Sequence, residues 1–332
     1  MPARVTAIHP LCAIEGGRIS IQGTEFPVDG PALPEVRIGG LPARLVFASP
    51  SELSAIVPAG LLSGTAAVSV AQAVSDASVR IAAVFATGLH QVDNPIFDRG
   101  GNLYVTYSGT RGQQVPVSIF RVRPDGTREP FSAGIVNPTS MAIDPQNRLY
   151  VSSRFEGTVY RVAPDGSTEP FARDLGVACG LAFAADGTLF VGDRSGTIFR
   201  VDDRGGGAAR ASTFASLPAS VAAYHLAFGP DQALYVTGPT LSTSDALYRV
   251  AADGTVTTRY GRFGRPQGLT FDPSGTLFVV EALAGISGLY RVPASGEPEL
   301  VLSGPGLVGV AFDAAGAMIV TSNETAYRLT PT

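Results

Sequence analysis

The sequence has no lysine, no tryptophan, two cysteines and three histidines in 332 residues. All 24 basic residues are therefore arginine, which excludes Schiff-base chemistry and a phosphate-loop lysine. The absence of tryptophan counts against a carbohydrate-binding module, although ten tyrosines remain as stacking faces. Cys12 and Cys179 are far apart in the chain and the histidines are scattered, so we expect neither a disulfide nor a zinc site.

Charge and long apolar runs are also scarce. Charged residues make up 16% of the chain, the net charge is -4 and no basic run occurs, so we expect no nucleic-acid partner. No stretch approaches the roughly 18 consecutive apolar residues of a membrane helix, so we expect no membrane span. The first residues lack the apolar core and cleavage site of a secretory signal. As it stands, the sequence predicts a cytoplasmic protein, or a secreted or periplasmic one if a signal has been removed.

Two motifs of catalytic or phosphate-binding loops are missing. No G-x-S-x-G elbow occurs between a strand and a helix, and hardly any helix is predicted at all. The richest glycine run, at residues 205–207, lies in a predicted hairpin and not between a strand and a helix. We interpret it as a flexible turn.

What the chain does have is an internal repeat of about 40 to 46 residues, a length that suits a propeller blade of four short strands. Each copy joins an apolar pair, an Asp or small residue, a turn and a second apolar strand. The copies are PIFDRGGNLYV from Pro95, MAIDPQNRLYV from Met141, LAFAADGTLFV from Leu181, LAFGPDQALYV from Leu226, LTFDPSGTLFV from Leu269 and VAFDAAGAMIV from Val310.

A third strand follows in each copy and carries a recurrent arginine. These arginines are Arg121, Arg161, Arg200, Arg249, Arg291 and Arg328. Because a repeated residue indicates a repeated structural contact, we expect them to pair with recurrent carboxylates rather than to bind an anion. The expected partners are Asp98, Asp144, Asp272 and Asp313.

A short outer strand completes each of the first five copies, and four of these strands carry an aromatic residue: Phe131, Phe171, Phe214 and Tyr260. The sixth copy ends at Leu329 without one. The segment at residues 81–85 has the missing outer-strand character, so we expect it to pair with the last unit and close the ring. The prediction is an all-β chain in which a six-bladed β-propeller is closed by an N-terminal outer strand.

The first part of the chain lacks this repeat and reads as short strands separated by Gly, Pro and Ser clusters, typical of a small immunoglobulin-like sandwich. Glu15-Gly16-Gly17, Val36-Arg37-Ile38-Gly39-Gly40 and Ala55-Ile56-Val57-Pro58 resemble the IPT/TIG family of immunoglobulin-like domains. The predicted domains are residues 1–78, immunoglobulin-like, and residues 79–332, the propeller. The propeller resembles NHL-repeat propellers and the gluconolactonase (regucalcin) superfamily, on its six units and its DP-x-G-x-LYV pattern.

That resemblance implies a site at one mouth of the channel, where innermost strands begin and second strands end. The ligand-binding candidates at these positions are Asn94, Arg154, Asp193, Arg194, His225, Gln267, Glu281 and Asn323. The lactonases of the superfamily hold a divalent cation through Glu, Asn and Asp residues. Here the corresponding positions carry Asp93 or Asn94, Cys179, Tyr224 and Gln267. Most of the charge is lost, so Asp93, Asn94 and Gln267 are the remaining candidates for a divalent cation such as calcium.

His225, Asp193 and Glu281 are the acid or base candidates at this mouth. Each has a structural alternative: His225 as a hydrogen-bonded structural residue, Asp193 as an ion pair with Arg194, and Glu281 as a solvated loop carboxylate. The first functional hypothesis is therefore a binding or scaffolding protein that engages a small molecule, carbohydrate or protein at the mouth and through the N-terminal domain. The second is a gluconolactonase-like, metal-dependent lactone or ester hydrolase with a degenerate ligand set.

Overall fold

The computed structural model describes residues 3–71, 73, 75–203 and 209–330, and these residues contain strands, turns and bends but no helix. Residues 205–207, interpreted above as a turn, lie outside the described part. Within that part no helix has the length and apolar character that crossing a membrane requires. The chain is all-β, as predicted, and its strands are arranged as a β-propeller preceded by a smaller group of N-terminal strands.

The N-terminal group contains eight strands, which hydrogen-bond in the order β1-β3-β6-β5-β4-β7-β8-β2. They are β1 (Arg4–His9), β2 (Cys12–Ala13), β3 (Arg18–Thr24), β4 (Val36–Ile38), β5 (Leu41–Ala48), β6 (Glu52–Ile56), β7 (Gly64–Val70) and β8 (Ser78–Ile81). Alternation of buried and exposed residues, as in Thr65 to Val70, turns one face of these strands inward. Ile19, Ile21, Leu53 and Val79 are among the residues of this core.

Five separate four-stranded sheets follow. After β9 (Ala83–Thr87), the first four contain β10 (Ile96–Phe97), β11 (Leu103–Thr106), β12 (Ile119–Val122), β13 (Arg128–Ser132); β14 (Pro138–Ile143), β15 (Leu149–Ser153), β16 (Thr158–Val162), β17 (Thr168–Ala172); β18 (Ala178–Phe183), β19 (Leu189–Asp193), β20 (Thr197–Asp202), β21 (Arg210–Ser216); and β22 (His225–Phe228), β23 (Leu234–Thr237), β24 (Asp245–Val250), β25 (Val256–Phe263).

The remaining strands are β26 (Pro266–Phe271), β27 (Leu277–Glu281), β28 (Gly288–Val292), β29 (Glu299–Ser303), β30 (Leu307–Phe312), β31 (Met318–Ser322) and β32 (Thr325–Leu329). The fifth separate sheet has the order β30-β31-β32-β9. Strands β26 to β29 pair antiparallel in sequence, but they belong to a twelve-stranded sheet because β2 pairs in parallel with β29. The structure thus shows five separate blade-like sheets where the repeat predicted six.

The inner strands form a ring. Strands β10, β14, β18, β22, β26 and β30 contact one another in this order, and β30 also contacts β10. The ring is closed as predicted, because Val84 in β9 lies opposite Tyr327 in β32. The pairing segment is Ala83–Thr87 rather than residues 81–85, since Ile81 belongs to β8 and packs in the N-terminal core.

Aromatic side chains repeat between neighbouring sheets. The ring of Phe228 at the end of β22 lies 5.2 Å from that of Phe190 in β19, at an interplanar angle of 67°. Equivalent pairs are Tyr150–Phe183, Tyr235–Phe271 and Phe278–Phe312. Edge-to-face pairs of this kind add to the apolar burial that holds successive sheets together. The repeat in the sequence is therefore a repeat of one packing contact.

Five of the six strand arginines form ion pairs among the described residues, in line with the predicted structural role, but most of the expected partners were wrong. Arg121 pairs with Glu129, which lies directly opposite it on the outer strand, and the same holds for Arg291 and Glu299. Arg328 is the one that pairs with a predicted aspartate, Asp313, at 3.0 Å. Antiparallel neighbours place side chains of one face next to each other, which favours the cross-strand carboxylate over one in a distant turn.

Candidate functional site

The first residues of the inner strands and the last residues of the second strands lie together at one mouth of the channel. Ala178 at the start of β18 is opposite Asp193 at the end of β19, and Pro266 is opposite Glu281 in the same way. His225 likewise starts β22 opposite Thr237. The antiparallel register therefore gathers the candidate positions at one face, which we call the mouth. What each side chain does there differs from residue to residue.

Asp93 and His225 form a buried pair at the mouth. Asp93 Oδ1 lies 2.5 Å from His225 Nδ1, and the two side chains are 4% and 0% exposed. Asp93 Oδ1 also accepts a hydrogen bond from Asn94 N at 2.7 Å. Because β10 and β22 are separated by two inner strands in either direction around the ring, the pair joins opposite sides of the channel. His225 Nε2 is buried, and no partner for it lies among the residues that the structure describes.

Asn94 ties two other inner strands together. Its Nδ2 donates to Leu269 O of β26 at 2.7 Å, and its Oδ1 accepts from Val310 N of β30 at 3.0 Å. Gly268 lies against this carboxamide, where a Cβ atom would overlap Asn94 Oδ1. Both polar ends of the Asn94 side chain are thus occupied by backbone groups, so the residue acts as a brace at the mouth.

Asp193 and Glu281 are buried and bound by their own loops. Asp193 Oδ1 accepts from Val177 N at 2.7 Å and its Oδ2 accepts from the Ser195 hydroxyl, so the expected ion pair with Arg194 was wrong. Glu281 is 1% exposed. Its carboxylate accepts hydrogen bonds from Gly264 N, Arg265 N and Leu283 N, between 2.7 and 2.8 Å.

Glu281 is therefore not the solvated loop carboxylate that was one alternative. Buried carboxylates survive without a cation partner when several backbone N–H groups bind them. Glu281 accepts three such hydrogen bonds, whereas Asp193 accepts one, from Val177 N, together with one from the Ser195 hydroxyl. Both acids thereby hold the loops at the ends of their strands.

The side chains of the other four candidates are not held by a comparable set of hydrogen bonds among the described residues. Gln267 is half-buried, and its backbone carbonyl oxygen accepts from Thr237 Oγ1 at 2.6 Å. Asn323 is exposed, in the turn between β31 and β32. Arg154, half-buried just after β15, has its Nη2 3.5 Å from Ser108 Oγ, and Arg194 is exposed after β19.

The residues at the mouth do not fit a divalent cation. A hard cation takes six to eight oxygen ligands, several of them carboxylate. Of the three candidates, Asn94 has both polar ends of its side chain occupied, and Asp93 is bound to His225. Gln267 is then the one candidate left, and its side chain is uncharged. Among the described residues no group of three or more His, Cys, Asp and Glu side chains could hold a metal ion. The Asp93–His225 pair crosses the channel at the level where the resemblance would place the ion.

Cys179 and Tyr224 form an apolar part of the mouth. Burial raises the pKa of the Cys179 thiol to about 12, and its Sγ lies 3.2 Å from Val177 O. Burial also raises the pKa of Tyr224 well above its ordinary value, and its hydroxyl donates to Pro218 O. Neither group is a nucleophile at neutral pH, because both keep their protons. Cys12 and Cys179 are free thiols.

Two buried amides that organise the mouth, Gln91 and Asn137, were missed by the sequence analysis. Gln91 Oε1 accepts from Thr106 N at 2.8 Å, while its Nε2 donates to the carbonyl of Asp93 at 2.7 Å. Asn137 binds the loop that contains Arg111. The two residues occupy the same position of the first two units, four residues before Pro95 and Met141, but the other units carry no amide there, so the repeat did not single them out. The one sequence signal for Gln91 and Asn137 is an amide residue among the mostly apolar residues just before an inner strand.

Two cavities lie outside the mouth or lead away from it. One, of about 340 Å³, runs along the channel from Asp93 to Phe97, Phe183, Phe228, Phe271 and Phe312. A larger one, of about 550 Å³, lies between the first two separate sheets. Four charged residues in its lining form ion pairs: Arg121 and Arg161 pair with Glu129 and Glu169, and Arg148 pairs with Asp144. At the mouth, by contrast, Arg154 and Arg194 form no ion pair with the residues that the structure describes.

No protein-family profile matches the sequence, and no curated protein matches it. Similarity appears with solved structures. An auxiliary nutrient binding protein from Bacteroides thetaiotaomicron matches with a TM-score of 0.58 at 12% identity, over 99% of this chain and 98% of that one. A gluconolactonase from Xanthomonas campestris matches with a TM-score of 0.59 at 17% identity, over 75% and 89%.

A catalytically inactive virginiamycin B lyase from Staphylococcus aureus, solved with quinupristin, matches with a TM-score of 0.54 at 12% identity, over 95% of this chain and 92% of that one. At these identities the likeness shows the fold, a β-propeller, and leaves the activity to be argued from the site itself.

Proposed function

We propose that the protein is a binding protein that holds a small ligand at the mouth of the propeller, without a divalent cation. The observation that carries this proposal is the Asp93–His225 pair, which crosses the channel with both side chains buried. Together with the Asn94 brace it joins four of the inner-strand regions across the channel. Arg154 and Arg194, which follow the second strands at the mouth and form no ion pair with the described residues, are the groups that remain to contact a ligand.

The finer architecture belongs to the same proposal. Strands β26 to β29 are a sixth blade, which is supported by the contacts of β26 with β22 on one side and β30 on the other. Strands β1 to β7 are an immunoglobulin-like domain of the IPT/TIG type, with residues 1–78 and 79–332 as the two units. Because β8 packs Val79 and Ile81 into the N-terminal core, this strand is the seam between them.

The nutrient binding proteins from Bacteroides support a binding role, since their match extends over nearly the whole of both chains. In this chain β2 pairs with both β8 and β29, which fixes the N-terminal strands to the outer edge of a blade. We propose that the N-terminal domain is a second contact surface held at a constant place relative to the mouth.

The test is a thermal-shift screen of the purified protein against calcium, magnesium, manganese and zinc, and against a panel of charged and neutral small molecules. A ligand that binds only the folded state raises the melting temperature. We expect no shift with any of the four cations and a dose-dependent shift with members of the small-molecule panel. A cation-dependent shift that is lost in Asp93→Asn would contradict the proposal.

One observation favours a second function, the hydrolysis of a lactone or ester. His225 Nδ1 is held by Asp93 while its Nε2 has no partner among the described residues, and an oriented histidine with one free nitrogen is the arrangement of a general base. The gluconolactonase from Xanthomonas campestris shares this fold. The discriminating experiment is turnover of glucono-δ-lactone followed by acid release. Turnover that His225→Gln abolishes would establish the enzyme and displace the binding proposal.

A further inference from the structure

Three arginines of successive sheets lie around the mouth, and the Nη2 of one of them, Arg154, is 3.5 Å from Ser108 Oγ in the loop that contains Arg111. Arg111 is in the loop between β11 and β12, Arg154 directly follows β15, and Arg194 directly follows β19. Burial lowers the pKa of the Arg154 guanidinium, and the positive charges of Arg111 and Arg194 lower it further. We call these three residues the arginine cluster.

The arginine cluster has no acid to neutralise it. None of its three members forms an ion pair within the part of the chain that the structure describes, whereas five third-strand arginines are paired with carboxylates: Arg121, Arg161, Arg249, Arg291 and Arg328. Asp193, the nearest acid in sequence to Arg194, is occupied by Val177 N and Ser195. Arg154 is half-buried, while Arg111 and Arg194 are exposed. Positive charges that no acid neutralises leave a positive potential at this part of the mouth.

Buried hydrogen bonds fix the position of the loop that contains Arg111. Asn137 is fully buried, and its Nδ2 donates to Ser108 O at 2.7 Å and to Thr110 O at 2.8 Å. Its Oδ1 accepts from Gly112 N at 2.7 Å, so the residues on both sides of Arg111 are fixed. Asn137 has a φ of +49°, a left-handed conformation that asparagine tolerates better than most residues. The second sheet thus holds the Arg111 loop of the first sheet beside Arg154.

An exposed aromatic ring adjoins the arginine cluster. Phe155 is 54% exposed, and its ring lies 3.1 Å from the place where Gly112 would carry a Cβ. The Nδ1 of His90 is buried and has no partner among the described residues. Burial lowers the pKa of His90, and the positive charge of Arg154 lowers it further. The surroundings therefore combine cationic groups with an apolar face.

From these contacts we infer that the ligand is an organic anion, whose oxyanion group is held by the arginine cluster and whose apolar part packs on Phe155. This inference rests on the proposed binding function. A guanidinium presents parallel N–H donors that match a carboxylate or a phosphate, and such charge-assisted hydrogen bonds are among the stronger ones in proteins. The ligand supplies the negative charge that the chain itself does not.

The experiment uses three probes that share a phenyl ring and differ in their polar group, measured by calorimetric titration of the full chain. Benzoate carries a carboxylate, phenyl phosphate carries a phosphate, and benzamide is the neutral isostere of benzoate. We expect at least one of the two anions to bind and benzamide to bind at least about tenfold more weakly, which corresponds to the loss of one charge-assisted contact. Which of the two anions binds more tightly identifies the oxyanion.

The variants Arg154→Met and Arg194→Met should each weaken anion binding at least about tenfold. The matched control is Arg44→Met, because Arg44 is exposed on β5, far from the mouth, and forms no ion pair within the described residues. Phe155→Ala should weaken the anions and benzamide equally. A melting temperature within the range of the unmodified protein shows that each variant is folded.

The outcomes separate the two proposals. If benzamide binds as tightly as benzoate, or if Arg154→Met leaves anion binding unchanged, the anion inference is overturned while the binding function stands. If neither anion binds at millimolar concentration but neutral members of the small-molecule panel raise the melting temperature, the same conclusion follows. If no small molecule of either kind binds, the binding function itself fails.

Discussion

Asp93 and His225 share a 2.5 Å hydrogen bond between residues on opposite sides of the inner ring. The two belong to units that are 132 residues apart in the chain. A contact of this separation costs chain entropy to form, and it is retained here at a point with almost no solvent exposure. The pair joins units on opposite sides of the channel.

Removing one member of this pair should be costly. His225→Ala leaves the Asp93 carboxylate buried without its main partner, so we expect the free energy of unfolding to fall by about 3–5 kcal/mol. Urea denaturation followed by circular dichroism measures this change. Asp93→Ala/His225→Ala should be less destabilised than the sum of the two single variants. Strictly additive values would show that the two side chains do not interact.

The Asn94 brace predicts a second loss of stability. Asn94→Ala removes hydrogen bonds to Leu269 O and Val310 N, which are backbone groups of two inner strands. Leaving both unsatisfied should cost about 2 kcal/mol or more, measured as the change in denaturation midpoint. Asn323→Ala is the matched control, because Asn323 is exposed in a turn, and it should stay within about 0.5 kcal/mol of the unmodified protein. Equal effects of the two substitutions would refute the bracing role.

The buried thiol predicts how stability depends on alkaline pH. The folded pKa of Cys179, about 12, exceeds its ordinary value of 9.0. The unfolded chain therefore releases this proton first, so stability is unaffected below about pH 9 and falls as the pH rises from there towards 12. Burial raises the pKa of Tyr290 to about 12 as well, which adds to the loss above its ordinary value of 10.0.

Melting temperatures measured across this alkaline range should fall less steeply for Cys179→Ala than for the unmodified protein. At neutral pH, Cys179 should resist a thiol reagent in the folded state and react after denaturation, since only the thiolate is nucleophilic. Rapid labelling of Cys179 in the folded protein would show that the thiol is neither buried nor protonated as described.

Two glycines with the same backbone conformation predict different costs of substitution. Gly166 has a φ of +84° and Gly187 a φ of +85°. A Cβ at Gly166 would overlap the carbonyl oxygen of Phe131 in the preceding sheet, whereas at Gly187 it would meet nothing within 4 Å. Gly187→Ala should cost about 1–2 kcal/mol for the left-handed backbone alone.

Gly166→Ala should cost about 1–3 kcal/mol more than that, because the neighbouring sheet must also move. Chemical denaturation of both variants checks the difference. If the two costs were the same, the close contact between the hairpin of one sheet and the outer strand of its neighbour would not contribute to stability.

Much of the propeller could be predicted from the sequence, because its strands and hairpins are local. The alternation of apolar residues fixed which segments form strands, and Asp-Gly pairs such as Asp165-Gly166 marked turns, where Ser167 N donates to Asp165 Oδ1 at 2.9 Å. Because the last unit has no outer strand of its own, we predicted that the segment before the first unit pairs with it, and β9 does pair with β32. The repeat register also predicted which residues reach the mouth.

The partners of those residues were decided by the tertiary structure alone. Glu281 and Asp193 look in the sequence like groups poised for chemistry or ion pairing, yet each is bound by backbone amides from a loop that the fold brings alongside. The clustering of Arg111 with Arg154 and Arg194 depends on how three successive units stack around the axis. Periodicity is a property of neighbours along the chain, whereas a contact across the channel exists only once the ring has closed and the backbone has chosen which polar groups to satisfy.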